Sequence, residues 1–117
     1  MFKKSLLFML SLMFSSQVLA VYTCGGYVEG VSIDPKHGAV FVEKLGVLEW
    51  QKLCLVTVEH NGISPESCKL IYSTLLTAQI AKKSVTLWFN DGKDCSSVSH
   101  PPWSSLSGWY FGPKLGS

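Results

Sequence analysis

The spacing of apolar positions changes character several times along the chain, and each change predicts an element. Residues 27–33 (YVEGVSI) alternate loosely between β-branched or aromatic and polar side chains. Gly30 interrupts them, which predicts a bent strand. Asp34-Pro35-Lys36-His37-Gly38 carries turn chemistry at nearly every position, and residues 39–45 (AVFVEKL) follow as the second arm of a hairpin. A third strand is expected over 53–59 (LCLVTVE), with Leu53, Leu55 and Thr57 on one face and Cys54, Val56 and Val58 on the other. Both faces are largely apolar, which predicts a central strand.

After Asn61-Gly62 the period lengthens to that of a helix. Ser64 suits the N-cap, Pro65 the first helical position and Glu66 the positive end of the helix dipole. Cys68, Ile71, Leu75 and Ala78 recur at helical spacing with Tyr72, Leu76 and Gln79 alongside, and Lys82-Lys83 closes the negative end. Residues 84–90 (SVTLWFN) return to a strand and Asp91-Gly92 stops it. Residues 93–107 form a Ser- and Pro-rich loop holding Cys95 and His100-Pro101-Pro102-Trp103. Residues 108–112 (GWYFG) make a short last strand, leaving Leu115-Gly116-Ser117 outside it.

The order is β-β-β-α-β-β: mainly β with one α-helix, the order of an OB-like small barrel. Closing a small sheet removes its edges; an open sheet with one helix packed on it is the rival arrangement. No repeat, charge block or linker divides the 117 residues, which fit one domain.

The start of the chain follows a different logic. Lys3-Lys4 precedes an apolar run from Leu6 to Phe14, and Val18-Leu19-Ala20 supplies the small residues of a cleavage site. A spanning helix needs roughly 20 apolar residues, and Ser15-Ser16-Gln17 breaks this run first. Residues 1–20 therefore read as a cleaved signal peptide and 21–117 as the domain, exported to a periplasm or beyond, with no membrane span left.

Export gives the four cysteines, Cys24, Cys54, Cys68 and Cys95, their meaning as two disulfides. No CxxC pair suggests zinc or redox chemistry. In the OB order the start of strand one lies beside the end of strand four, which would join Cys24 to Cys95 and Cys54 to Cys68. Pairing Cys54 with Cys95 and Cys24 with Cys68 stays open at this stage.

Charge narrows the partners. All ten basic residues are Lys, and without Lys3 and Lys4 the basic and acidic residues are equal in number. A neutral chain without Arg lacks the clustered positive charge that nucleic acid demands. Hydrophobic residues make up 47%, enough for a packed core rather than disorder.

Several blocks together resemble a known group. Cys24-Gly25-Gly26-Tyr27-Val28, Cys54, Asn61-Gly62-Ile63-Ser64-Pro65-Glu66-Ser67-Cys68, Leu75-Leu76-Thr77-Ala78-Gln79 and Asp94-Cys95 stand in the order seen in small secreted four-cysteine bacterial proteins of no assigned activity. The chain departs from them at Trp109-Tyr110-Phe111-Gly112-Pro113, where a plainer aliphatic strand is expected. The resemblance implies export, disulfides and fold, and brings no catalytic residues. More loosely, the architecture is similar to the B subunits of pentameric bacterial toxins, which are short, exported, OB-like and bind host glycans. That likeness leaves homo-oligomerisation open.

Aromatic residues carry the best candidate chemistry, because a flat ring covers the apolar C–H face of a sugar. Trp103 leads, in the loop between strands four and five and stiffened by two prolines; His100, Trp109 and Tyr110 complete the expected ligand-binding set. The plain alternative buries Trp88 and Trp109 in the core and uses Trp103 to plug the barrel. The histidines, His37, His60 and His100, are expected on surface loops without metal-ligand spacing. No GxSxG elbow is present and the acids fall mainly at turns. The sequence reads as a non-catalytic exported binding module for a glycan or protein surface, with no cofactor or metal. The alternative is a periplasmic inhibitor or immunity-type protein that blocks a partner enzyme.

Overall fold

A computed structural model describes residues 21–116, so the expected signal peptide lies outside the described residues. The elements are β1 (Tyr22–Asp34), β2 (Ala39–Leu45), β3 (Leu48–Leu55), α1 (Pro65–Ala81), β4 (Ser84–Phe89) and β5 (Trp109–Leu115). They form a five-stranded antiparallel sheet in the order β3-β2-β1-β4-β5 with one helix packed on it.

β1 is the longest strand and serves two neighbours. Its first half, Tyr22 to Tyr27, pairs with β4, and its second half, Val28 to Asp34, pairs with β2. The junction needs glycine. A Cβ on Gly26 would lie 2.5 Å from the Cα of Gly46, and one on Gly46 would lie 2.1 Å from the carbonyl oxygen of Gly25. The β2–β3 turn therefore sits directly on β1, fastened by the Gly46 amide to the Tyr27 carbonyl at 3.1 Å.

Strand alternation supplies the core. Val85, Leu87 and Phe89 of β4 point inward, as do Val40 and Val42 of β2 and Leu53 of β3. Cys68, Leu75 and Ala78 of α1 close over them. Each fully buried Leu or Val contributes about 1.5–3 kcal/mol relative to exposure. The Ser64 hydroxyl accepts from the Ser67 amide at 3.2 Å, Pro65 opens the helix, and Lys82 ends it in the left-handed region.

The disulfides join Cys24 to Cys95 and Cys54 to Cys68. The first ties β1 to the β4–β5 loop and the second ties β3 to the first turn of α1. Each stabilises by about 2–4 kcal/mol through restriction of the unfolded chain. Two disulfides and no free cysteine among the described residues point to an oxidising environment.

Several strand bounds need correction: β1 begins at Tyr22 rather than Tyr27, and β3 ends at Leu55 rather than Glu59. β3 begins at Leu48 rather than Leu53, because Gly46-Val47 makes a two-residue turn with Leu45 opposite Leu48. β3 also lies at the end of the strand order instead of its centre. β5 runs to Leu115, past the expected stop at Gly112, with Leu115 opposite Val85. The ladder itself stays open: β3 and β5 do not pair. The edge of β3 instead meets the segment before β5, through a parallel bridge between Lys52 and Ser105. The Lys52 amide donates to Ser104 at 3.0 Å and the Leu106 amide to Lys52 at 2.8 Å.

Candidate functional site

The segment between β4 and β5 covers one end of the sheet, and its inward and outward side chains have different fates. Cys95 fastens its start, and the buried Leu106 its end. Asp94 shapes the first turn: its carboxylate accepts from the Ser96 amide at 3.0 Å and from the hydroxyls of Ser96 and Ser99. These bonds to the charged form pull its pKa down to about 2.

His100 faces inward, 5% exposed, against the expectation of a surface histidine. Its ring lies 5.0 Å from that of Phe89. The Tyr22 hydroxyl donates to Asp91 Oδ1 at 2.6 Å and lies 3.0 Å from His100 Nε2. With the hydroxyl proton directed to Asp91, the imidazole proton belongs on Nε2. Burial lowers the His100 pKa, and the charge of Lys93 adds to this, while Asp91 and Asp94 oppose it. Burial pushes the Tyr22 phenol up, reinforced by Asp91. For Asp91 burial works against ionisation, but the Tyr22 hydroxyl, the Lys93 amide and the charges of His100 and Lys93 outweigh it and hold the carboxyl below its usual value.

Gln51 supplies the second inward tie. Fully buried, it shares its two Nε2 hydrogens among the carbonyls of Glu49 at 2.8 Å, His100 at 3.1 Å and Pro101 at 3.2 Å. Its Oε1 and Asp91 Oδ2 are buried without a hydrogen-bond partner among the described residues.

Trp103 faces outward and is 66% exposed, so it does not plug the sheet. Its ring stacks on Trp50 at 4.6 Å and 11°, and meets Phe41 at 5.7 Å and 53°. Its amide donates to the Trp50 carbonyl at 2.8 Å. Both tryptophans have left-handed backbones, with φ of 48° at Trp50 and 64° at Trp103. Such conformations cost on the order of 1–3 kcal/mol each and persist where surrounding contacts over-determine them.

The expected set is therefore divided. His100 is an internal anchor. Trp109 packs against the core with its indole N–H donated to Leu106. Tyr110 is exposed and borders, with Trp109, a small cavity of about 160 Å³ beside Ile63 and Ile71. Trp103 alone reaches the outer aromatic surface, and its partners Trp50 and Phe41 were missed. The signal for Trp50 was Gly46-Val47: a Gly-X turn would have placed residue 50 inside a strand. Trp88 is half-exposed, edge-on to Phe111, rather than core. His37 makes a local contact to Asp34, and His60 reaches Ser105 in the segment before β5.

Beside the aromatic trio, a cleft of about 490 Å³ opens between the β2–β3 turn and the β4–β5 segment. Among the described residues no group of three His, Cys, Asp or Glu is placed to hold a metal. No helix of the described residues is long and apolar enough to cross a membrane. Scans against protein-family models, curated proteins and solved structures find no match.

Proposed function

We propose that the chain is an exported, non-catalytic binding module whose outer aromatic surface, Trp103 on Trp50 with Phe41 beside it, holds a glycan. The observation that carries this reading is a two-thirds exposed tryptophan, already stacked on its partner, displayed by a segment anchored on its other side. An indole face covers the C–H face of a sugar ring while hydroxyls at its rim bond to water or protein. Because Trp103 is braced before any ligand arrives, little side-chain freedom is lost on binding.

The topology supports the same reading. In OB-type folds the surface of strands two and three and the loop between four and five bind oligosaccharides and oligonucleotides. Phe41, Trp50 and Trp103 come from those three places. The neutral charge balance disfavours the nucleic-acid option. Export by residues 1–20, an OB-like barrel and the similarity to toxin B subunits belong to this proposal, resting on the sequence and the two disulfides.

The hydrogen-bonded set Asp91, Tyr22 and His100 fits a structural role better than a catalytic one. Its phenol is directed at Asp91, its imidazole is buried, and together they hold the segment that displays Trp103. A panel of immobilised glycans, probed with oxidised protein and with Trp103→Ala, tests the reading. Binding by the former and its loss in a variant with unchanged far-UV circular dichroism is expected. Binding that survives Trp103→Ala removes this surface as the site. Tight association with one protein and no glycan would replace the reading with the inhibitor alternative.

A further inference from the structure

The structure assigns the cleft beside the aromatic surface as a second subsite for an uncharged or amino-bearing sugar unit, making the ligand an oligosaccharide that runs from Trp103 over Pro102 into the cleft. This rests on the glycan reading and adds which glycans it takes. Continuity comes first. Pro102 and Glu49 line the cleft and are the chain neighbours of Trp103 and Trp50, so the stacked pair and the cleft share a rim. A cavity of about 490 Å³ lies in the range of small-molecule sites.

The lining suits hydroxyl groups. Glu49 and Ser97 offer a carboxylate and a hydroxyl, the Ser96 hydroxyl being held by Asp94 and the Ser99 amide, with Val47 and Pro102 as apolar walls. A carboxylate accepts from sugar hydroxyls or an amine, and such charge-assisted bonds are the stronger kind. No lysine lines the cleft, and the charges acting on His100 at its back are those of Asp91, Asp94 and Lys93. With Glu49 and its cross-strand neighbour Lys44 the local balance is three carboxylates to two ammoniums, which still disfavours a sialic acid or sulfate.

The cleft is also pre-built. Gln51 ties both of its walls, through the Glu49 carbonyl on one and the His100 and Pro101 carbonyls on the other. Cys95, disulfide-bonded to β1, fixes the segment that carries Ser96 and Ser97.

The test is titration with matched neutral, amino-bearing and sialylated or sulfated oligosaccharides of one to four units, on the oxidised protein, Glu49→Gln, Val47→Trp and Trp103→Ala. Glu49 and Val47 are exposed, so both cleft variants retain the fold, checked by circular dichroism. Neutral or amino oligosaccharides should bind about tenfold more tightly than their single-unit methyl glycosides, and acidic counterparts about tenfold more weakly. Glu49→Gln and Val47→Trp should erase the oligosaccharide advantage and spare the single unit, whereas Trp103→Ala removes both. Acidic glycans binding as well as neutral ones would overturn the inference. So would cleft variants that keep oligosaccharide affinity while Trp103→Ala abolishes it, an outcome that leaves the aromatic surface standing. If the unmodified protein binds no glycan, both readings fall together.

Discussion

Two aromatic clusters, each with one exposed ring (Trp103 and Phe111), decorate the sheet, and they arise by different physics. Trp88 and Phe111 are cross-strand partners on β4 and β5, with ring centroids 5.3 Å apart in an edge-on arrangement. Strand pairing places them together, although the β4–β5 register shifts on either side of the pair, and neither has a left-handed backbone. Trp50 and Trp103 belong to β3 and a loop, both have positive φ, and neither ladder nor alternation brings them into contact. That contact exists because His100, Gln51, Leu106 and the Cys24–Cys95 disulfide hold the loop from within. A pair made by direct strand pairing, without positive φ at either ring, needs no further explanation. One that persists despite unfavourable backbone points to a selected surface, and this difference directs the glycan reading to Trp103 rather than Phe111.

Releasing the anchor should separate the clusters most forcefully. The Cys24–Cys95 bridge spans 71 residues of sequence, and removing it with paired Ser substitutions should cost roughly 4 kcal/mol by chain entropy. At about 4–8 °C per kcal/mol for a domain of this size, the melting temperature should fall by tens of degrees. Near-ultraviolet circular dichroism at low temperature should then lose the stacked Trp50–Trp103 signal while the Trp88–Phe111 contribution survives. Equal loss of both would mean that the loop is no more dependent on its anchor than the ladder is.

Side-chain truncation comes next. Trp103→Ala should weaken glycan binding by about 2 kcal/mol, roughly 30-fold, the size of an interfacial hot spot. Phe111→Ala should leave it within a factor of two or so, the range of neutral surface changes. If Phe111→Ala were the more damaging, the site would belong on the β4–β5 surface.

Much of the frame was legible in the sequence because its signals are local. Ser64-Pro65-Glu66 and the apolar spacing over 68–78 mark α1, clean alternation marks β4, and placing Cys24 and Cys95 at adjoining strand ends anticipated their disulfide. β3 was shifted because the run LCLVTV reads as one strand. In the fold, Val56 donates instead to Gly38 at the β1–β2 turn, and Val58 is exposed. His100 could not be read as buried, because its partner Tyr22 is 78 residues away. The Trp50–Trp103 stack was hidden for the same reason: its geometry is tertiary, and a positive φ at tryptophan has no sequence signature.

Acid should loosen the anchor by a smaller amount. The folded pKa of His100 lies below its unfolded value, so the unfolded chain binds the proton more readily. Its contribution is complete above the unfolded value, about 6.5, and is lost as pH falls through the folded one. Urea unfolding measured across that range should show stability falling with pH, with His100→Gln flattening the slope. The carboxyls of Asp34, Asp91 and Asp94 are also held low, so their contribution is lost in a separate window below the ordinary carboxylate range. A slope that survives His100→Gln between neutrality and that lower window would assign the acid sensitivity elsewhere and detach it from the loop.

The subtlest contrast is one of sign. At a left-handed position, glycine carries none of the roughly 1–2 kcal/mol burden that a Cβ imposes, although it starts from a more disordered unfolded state. At a strand position without positive φ, such as Phe111, the same residue is worse than alanine by about 0.5–1 kcal/mol. Trp103→Gly should therefore be at least as stable as Trp103→Ala, whereas Phe111→Gly should be less stable than Phe111→Ala. Denaturant midpoints of the four variants give both differences with the stacking removed from each pair, so only backbone terms remain. Matching signs at the two positions would mean that Trp103 bears no backbone strain, and its exposure would then have no more claim to selection than that of Phe111.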